Sequence, residues 1–557
     1  MYSYGVGVKS LVDDLVGDSG EMLALLMGAV GLVLLIACAN LASANLAQGA
    51  VRSREMAVRA ALGAGRARLV RQVLVDNLMI ALIGGALGVI LAQFLTGSAV
   101  LVGAAELPRT GSIGIDVVVI AFAFLVATMA GIATGLLPAI RATRVAPGQA
   151  MEGGTRGHVA GGRGLPGRVF VAAEIAMALM LITSAGLLVQ SMRAVLARPL
   201  GFETNGVVVA EITLGGPRYN RDSAAVLAYW ERLRNSLAEM PGSQGAGLVN
   251  WVPLVRGGTG FIEIAGKNVA GAGAGYRMVS EGYFETLGMR VLQGRPFAES
   301  DRSDGPRVTV ISKRMADRYW PGESPLGRQV RATSMEYFGS AAPWLTIVGV
   351  VNDARPFGYE TDETAEMYVL YRQLPPWRIG TMSAVVRGTG SEAAIMSAVR
   401  ERVEAIDPMI PADLEFLKSH ANRVTAARRF TMATLAVFGG LSLILAAIGV
   451  YGVLSFATAQ RTREMAVRAA LGADRRRLQQ LVLGSGARVV AVGMAVGLVG
   501  AWHLAQLARS FLFGVEPRDP TVFVAATLTI AAVGLLAAVV PARRASRVEP
   551  MEALRQD

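Results

Sequence analysis

Side chains able to do covalent or metal chemistry are sparse in this 557-residue chain. Its three histidines, His158, His420 and His503, are scattered, and no HExxH or Cys/His ligand spacing is present. No GxSxG elbow stands before a helical pattern, and Gly266-Lys267 runs into Asn268 where a phosphate-binding P-loop needs Ser or Thr. The residues therefore predict no catalytic set, no metal site and no cofactor bound by this chain. If ATP powers it, the ATPase is another subunit. The single cysteine, Cys38, lies in an apolar run, so no intrachain disulfide forms and nothing about redox compartment follows. Glu174 is the only acid well inside a predicted membrane helix, and such residues are functional candidates. It lies so near Arg168 that it is expected to reach the membrane interface.

A different kind of chemistry is written twice. Arg52–Leu69 reads RSREMAVRAALGAGRARL and Arg461–Leu478 reads RTREMAVRAALGADRRRL, with differences at only three of eighteen positions. Both copies are rich in good helix formers and reach a natural stop at Gly63 or Gly472. Glu55 and Glu464 each offer a carboxylate to a partner's arginine, and Arg59 and Arg468 follow one turn later. The candidate coupling residues are Arg54, Glu55, Met56, Arg59 and Gly63 in one copy and Arg463, Glu464, Met465, Arg468 and Gly472 in the other. The competing reading is an interfacial helix whose arginines merely meet anionic lipid headgroups. Repetition this tight exceeds what topology needs, which favours docking to a partner. The register continues into the following apolar run, where Gly84 and Gly88 recur as Gly493 and Gly497, a spacing suited to close helix packing. A second echo closes each half, Pro138–Pro147 against Pro541–Pro550, and Asp116 and Asp519 open the last apolar run at the same offset.

The elements that hold these residues are membrane helices. The chain is 53% hydrophobic and 17% charged with a mean hydropathy of +0.44, whereas soluble domains carry about 25% charged residues. Apolar blocks near 22–46, 74–98, 117–138, 169–192, 430–455, 484–508 and 521–541 are each about 20 residues, enough to cross a ~30 Å hydrocarbon layer. The net charge of +12 is carried mostly by arginine, and the arginines cluster in short loops, which is the pattern of a positive-inside bias and not of nucleic-acid binding. All the basic loops fall on one side if the N-terminus is outside and the C-terminus inside. That places 196–427 outside, where strand-like runs (Val207–Leu214, Arg307–Ile311, Trp344–Val351, Ser383–Arg387) alternate with helix-like stretches (Ser223–Met240, Glu392–Ile406). Asp222 is a plausible N-cap for the first of these helices.

The fold class expected is thus an α-helical membrane protein, about seven spans in two repeated halves, with one inserted α/β domain. The expected division is 21–152 as a first three-span unit, 153–168 as a cytoplasmic linker, 169–195 as a lead-in span, 196–427 as the outer domain and 428–557 as the second three-span unit. Because the second unit has a lead-in span and an outer domain, the repeat logic calls for the same before the first, and 1–20 reads as the tail of such a domain.

The motif R-x-x-E-M-A-V-R-x-A-L-G-A in its looser form, the Gly-rich span behind it and the closing P-A-x-R-A-x-R-x-x-P-x-x-A-L resemble the permease domain of the MacB/FtsX family of ABC transport systems. The duplication resembles the paired permeases called acidobacterial duplicated orphan permeases, as do Pro199–Phe202, Gly282–Gly288, Gly294–Phe297, Ile347–Val351 and Tyr451–Leu454. The resemblance spans almost the whole chain. It implies a permease subunit of the cell inner membrane whose coupling residues meet a cytoplasmic ABC ATPase, expected in two copies. It also implies an outer domain, 196–427, of the MacB-like periplasmic core type that meets cargo or a periplasmic partner. Contact with membrane lipid is expected throughout the spans. The alternative it leaves open is a membrane lever that regulates a periplasmic enzyme and moves no cargo.

Overall fold

The computed structural model describes residues 19–51, 55, 58–59, 64–102, 114–142, 165–255, 257–269, 271–333, 342–355, 364–460, 462–471 and 474–546. The chain divides into two compact units, one made of Met1–Ala194 with Arg428–Asp557 and the other of Val195–Ala427. The first unit opens with four long helices: α1 (Ser19–Val51), α2 (Arg66–Val102), α3 (Val117–Ala142) and α4 (Leu165–Ala197). Each overruns its apolar block by several residues, because backbone hydrogen bonding continues past the point where side chains leave hydrocarbon. The side chain of Asp116 accepts from Val119 N at 2.8 Å and so satisfies one of the donors left over at the start of α3.

The second unit begins with β1 (Val207–Thr213), followed by α5 (Pro217–Arg221), α6 (Ser223–Ala238), β2 (Ser243–Val249), β3 (Gly258–Ile264), β4 (Gly273–Val279), α7 (Tyr283–Thr286) and β5 (Val291–Gly294). It continues through β6 (Val308–Ser312), α8 (Lys313–Tyr319), β7 (Gln329–Ala332), β8 (Leu345–Val351), β9 (Glu366–Leu370), β10 (Thr381–Gly388), α9 (Glu392–Ile406) and β11 (Ala412–Phe416). Strands β11, β1, β10 and β2 pair antiparallel in that order. Strands β4, β3, β7, β8, β6 and β9 pair in turn, and β9 closes back on β4 in parallel, so these six strands form a ring. One pair, Val249 with Val279, joins the sheet to the ring. Every residue of β6 and β9 is buried, the pattern of strands covered on both faces.

Helix α6 shows why this unit has a defined core. Val226, Tyr229, Trp230, Leu233 and Leu237 recur at helical spacing on its buried face, and the fully buried Trp230 donates Nε1–H to Ile379 O at 2.6 Å. Its N-cap is the expected Asp222, which accepts from Ala224 N and Ala225 N at 2.9 and 3.2 Å. Asp222→Ala should therefore cost about 1 kcal/mol, read as faster amide hydrogen exchange in the first turn of α6 with β1 unchanged. Arg277 on β4 and Glu366 on β9 form an ion pair at 3.2 Å with side chains only 2% and 3% exposed. Arg277 also donates to the carbonyls of Trp251 and Val252.

The chain then runs through α10 (Leu417–Gln460), α11 (Thr462–Ala470), α12 (Arg475–Leu507) and α13 (Pro520–Ala545). Among the described residues seven helices are long and apolar enough to cross a membrane: α1 to α4, α10, α12 and α13. Their core centres on α4, whose Val171, Ile175, Ala178, Leu179, Ala185 and Leu188 pack with residues of α1, α10, α12 and α13. Of the apolar window of α4, 61% is buried, against none for α2.

The two repeats fold alike. Gly131 of α3 meets Ala81 of α2 so closely that a Cβ would lie 2.8 Å from the alanine Cβ. At the repeat-related positions, Gly534 of α13 meets Val490 of α12 at 3.0 Å. The side chain of Asp519 caps α13 by accepting from Thr521 N at 2.8 Å, as Asp116 caps α3.

Candidate coupling site

The segment Thr462–Ala470 forms its own short helix, α11, between α10 and α12. Its sequence presents two faces. Met465, 2% exposed, packs with Leu478 and Val482 of α12 and Ala542 of α13, and Ala466 is fully buried. These contacts seat α11 on the base of the last two spans. The opposite face carries Glu464 and Arg468, paired across one turn at 2.6 Å with side chains 46% and 45% exposed. Beside them Val467 and Leu471 are exposed at 43% and 83%. An exposed pair of this kind contributes only about 0.3–0.5 kcal/mol to its helix.

The first repeat displays the same surface. Glu55 and Arg59 pair at 2.5 Å, and Val58, the counterpart of Val467, is 53% exposed. Arg59 reaches one residue further than Arg468, donating to Gln72 Oε1 at 2.7 Å, where the second repeat has the apolar Leu481. Leu69, the counterpart of Leu478, is likewise buried. The backbone of Arg463 lies in α11. Arg54, Met56, Gly63 and Gly472, with the side chain of Arg463, lie outside the described residues.

The two glycine pairs meet different surroundings. A Cβ at Gly493 would stand 2.7 Å from Ala172 O and 2.8 Å from Ile175 Cβ, and one at Gly497 would stand 2.9 Å from Ala176 Cα. Here α12 and α4 touch backbone to backbone. A Cβ at Gly84 or Gly88 would meet no described atom within 4 Å apart from its chain neighbours and the backbone of its own helix.

Glu174 does not reach the interface as its closeness to Arg168 suggested. It points into the bundle with 0% exposure, because α4 is the helix around which the others pack. Sequence reasoning passed over the residues near it, Asn40 of α1 and Gly449 of α10, although carrying the repeat offset back along the two helices makes them equivalent positions. It also passed over a polar cluster in which Asn45 Nδ2 donates to Asn77 Oδ1 at 2.6 Å and to Thr134 O at 3.4 Å. The equivalent second-half positions are the apolar Leu454, Gly486 and Ala537. Among the described residues no three His, Cys, Asp or Glu side chains gather where they would hold a metal ion.

Among the described residues, seven membrane-length helices, six of them in two repeated three-span units, with an α/β domain inserted in the chain, define the class of multi-span membrane proteins with an extramembrane domain. The family model described as FtsX-like permease C-terminal matches twice, over 27–147 and 436–550, and that described as MacB-like periplasmic core domain matches 171–406. The chain is 25% identical over 288 residues to the uncharacterized ABC transporter permease YknZ of Bacillus subtilis, covering 50% of this chain and 69% of that one. It is 24% identical over 301 residues to the macrolide export ATP-binding/permease protein MacB of Hahella chejuensis, covering 52% of this chain and 44% of that one. The chain thus spans less than half the length of this second relative. Among solved structures, the periplasmic region of MacB from Actinobacillus actinomycetemcomitans aligns with 40% of this chain and 94% of its own at 15% identity and a TM-score of 0.27. This protein belongs to the MacB/FtsX-type ABC transporter permeases, and it is a multi-pass inner-membrane protein.

Proposed function

We propose that Arg54–Gly63 and Arg463–Gly472 are two sockets for cytoplasmic ABC ATPase subunits, and that the spans carry their movement to 196–427. On this reading the ATPase binds and hydrolyses ATP, the sockets and the C-terminus face the cytoplasm, and 196–427 faces the periplasm to meet cargo or a partner. The observation that supports it is the same surface displayed twice: a Glu–Arg pair beside an exposed valine. In the second copy that surface is anchored through Met465 to the base of two spans, so a push on α11 is delivered to α12 and α13. Relatives named as export ATP-binding/permease proteins support an ATPase as the partner.

The test is Glu55→Lys with Glu464→Lys. The host helices lose at most about 0.5 kcal/mol each, whereas a misplaced charge at a docking site costs several kcal/mol. Co-purification of the ATPase from native membranes should fall at least about tenfold while the permease stays folded. Unchanged recovery of the ATPase would sink the socket reading. Recovery of periplasmic partners alone would move the assignment to the lever that regulates a periplasmic enzyme.

A further inference from the structure

We propose that Glu174 and Asn40 form a proton-holding site at the seam where equivalent spans of the two halves meet. Glu174 is fully buried, and among the described residues neither Oε1 nor Oε2 has a hydrogen-bond partner. Its carboxyl lies in a notch left by Gly449 of α10: a Cβ built there would stand 2.0 Å from Glu174 Oε2 and 2.8 Å from Asn40 Oδ1. Two acceptor oxygens from different helices therefore converge on one glycine. The amide nitrogen of Asn40 is already committed, donating to Leu445 O at 2.9 Å, so the amide offers the notch an oxygen and not a donor.

Among the described residues no charged side chain bonds to either carboxyl oxygen of Glu174. On the helices packed around α4, the nearest titratable groups along each chain are Cys38 on α1, Tyr451 on α10 and Arg488 on α12. Tyr451 accepts from Arg544 Nη1 and Arg488 donates to Gly484 O, and no bond joins any of the three to Glu174. On α13 the described titratable groups, Arg543 and Arg544, lie in the last turn.

A buried carboxylate without a counter-charge does not persist inside a membrane bundle; it takes up one positive charge. A hard metal ion gathers six or more oxygens, whereas the side-chain oxygens nearest the Gly449 notch are those of Glu174 and Asn40. A proton needs one base and one acceptor, and the site has both. A hydronium ion of the bulk solvent delivers the proton and leaves as water, the carboxylate becomes a neutral acid, and its O–H donates to Asn40 Oδ1. That bond ties α4, the lead-in span of the second half, to α1 of the first. Loss of the proton would set two acceptor oxygens against each other, so the seam opens only when the acid is deprotonated and water enters.

Infrared spectroscopy of the full chain in lipid nanodiscs at neutral pH tests this. Wild type should show a protonated-carboxyl C=O band, shifted by exchange into D₂O, that E174Q loses while its folding is kept by an amide that donates the same bond. Asn40→Leu leaves the carboxyl in place and should move that band to higher frequency, which keeps the test sound if E174Q fails to fold. An E174Q spectrum equal to wild type, or a band insensitive to N40L, overturns the site. A band that appears only when sodium is replaced by choline overturns it too, because a metal cation then occupies the notch.

Discussion

Replacing Gly493 and Gly497 together by leucine is expected to release α4 from α12 and to unfold the second half of the bundle. The added Cβ atoms would lie within 3 Å of Ala172 O, Ile175 Cβ and Ala176 Cα, and the rest of each side chain would have to pass through that helix. Forcing extra carbons into a packed contact costs about 1–3 kcal/mol at one site, and two sites one turn apart act on the same helix. The gain in helix propensity from Gly to Leu, under about 1 kcal/mol each, does not offset this. Gly84→Leu with Gly88→Leu is the matched control, since a Cβ at either would meet no described atom beyond its chain neighbours and its own helix backbone within 4 Å. It should change stability little or raise it. The measurement is the folded fraction across a titration with a denaturing detergent. Equal behaviour of the two double variants would show that the backbone contact of α4 and α12 does not hold the bundle.

The second large effect lies in the extramembrane unit. Glu366→Leu should destabilise that unit by about 3–5 kcal/mol, because it removes the counter-charge from the Arg277 guanidinium at 2% exposure and leaves it to the carbonyls it also meets. Removing Glu263, whose pair with Arg331 is 47% exposed on the acid side, should cost no more than about 1 kcal/mol, although the two bonds look alike on paper. Adding Arg277→Met to Glu366→Leu should recover much of the loss, since the desolvated cation is gone. Chemical denaturation followed by the fluorescence of Trp230, Trp251 and Trp320, all in this unit, would read all three. A single Glu366 variant as stable as wild type would mean that the pair is hydrated and not buried.

Much of this architecture is legible in the residues. Apolar blocks of membrane length, arginines confined to short loops and an eighteen-residue repeat locate seven helices and the two repeated segments from the residues alone. Asp222 as a cap and the strands around Val207, Val308 and Leu345 are equally local signals. What escapes is whatever depends on a partner far along the chain. The closing pair of the six-stranded ring, β4 with β9, joins residues of widely separated segments in parallel, and alternation along either strand carries no trace of it. Glu174 escapes for a related reason. Its nearness to Arg168 says how far it lies from a helix end, but only the packing around α4 says which way it faces. The contrast between Gly493 and Gly84 is likewise invisible in identical spacing, because it depends on which helix arrives opposite.

The meeting of Asn40 with Gly449 bears on what a tandem gene permits. In a dimer of identical subunits, a contact on the two-fold axis sets a residue against its own copy, and every substitution there occurs on both sides at once. An asparagine on that axis would face an asparagine, with no hollow beside it for a third side chain. Fusing the two copies into one reading frame removes the constraint: one copy keeps the amide, the other shrinks to glycine, and a carboxyl from a third helix occupies the space. The same freedom separates the polar Asn45–Asn77 contact from its apolar counterpart, Leu454 beside Gly486. Duplication has let each half mutate alone, and the two halves are no longer interchangeable parts.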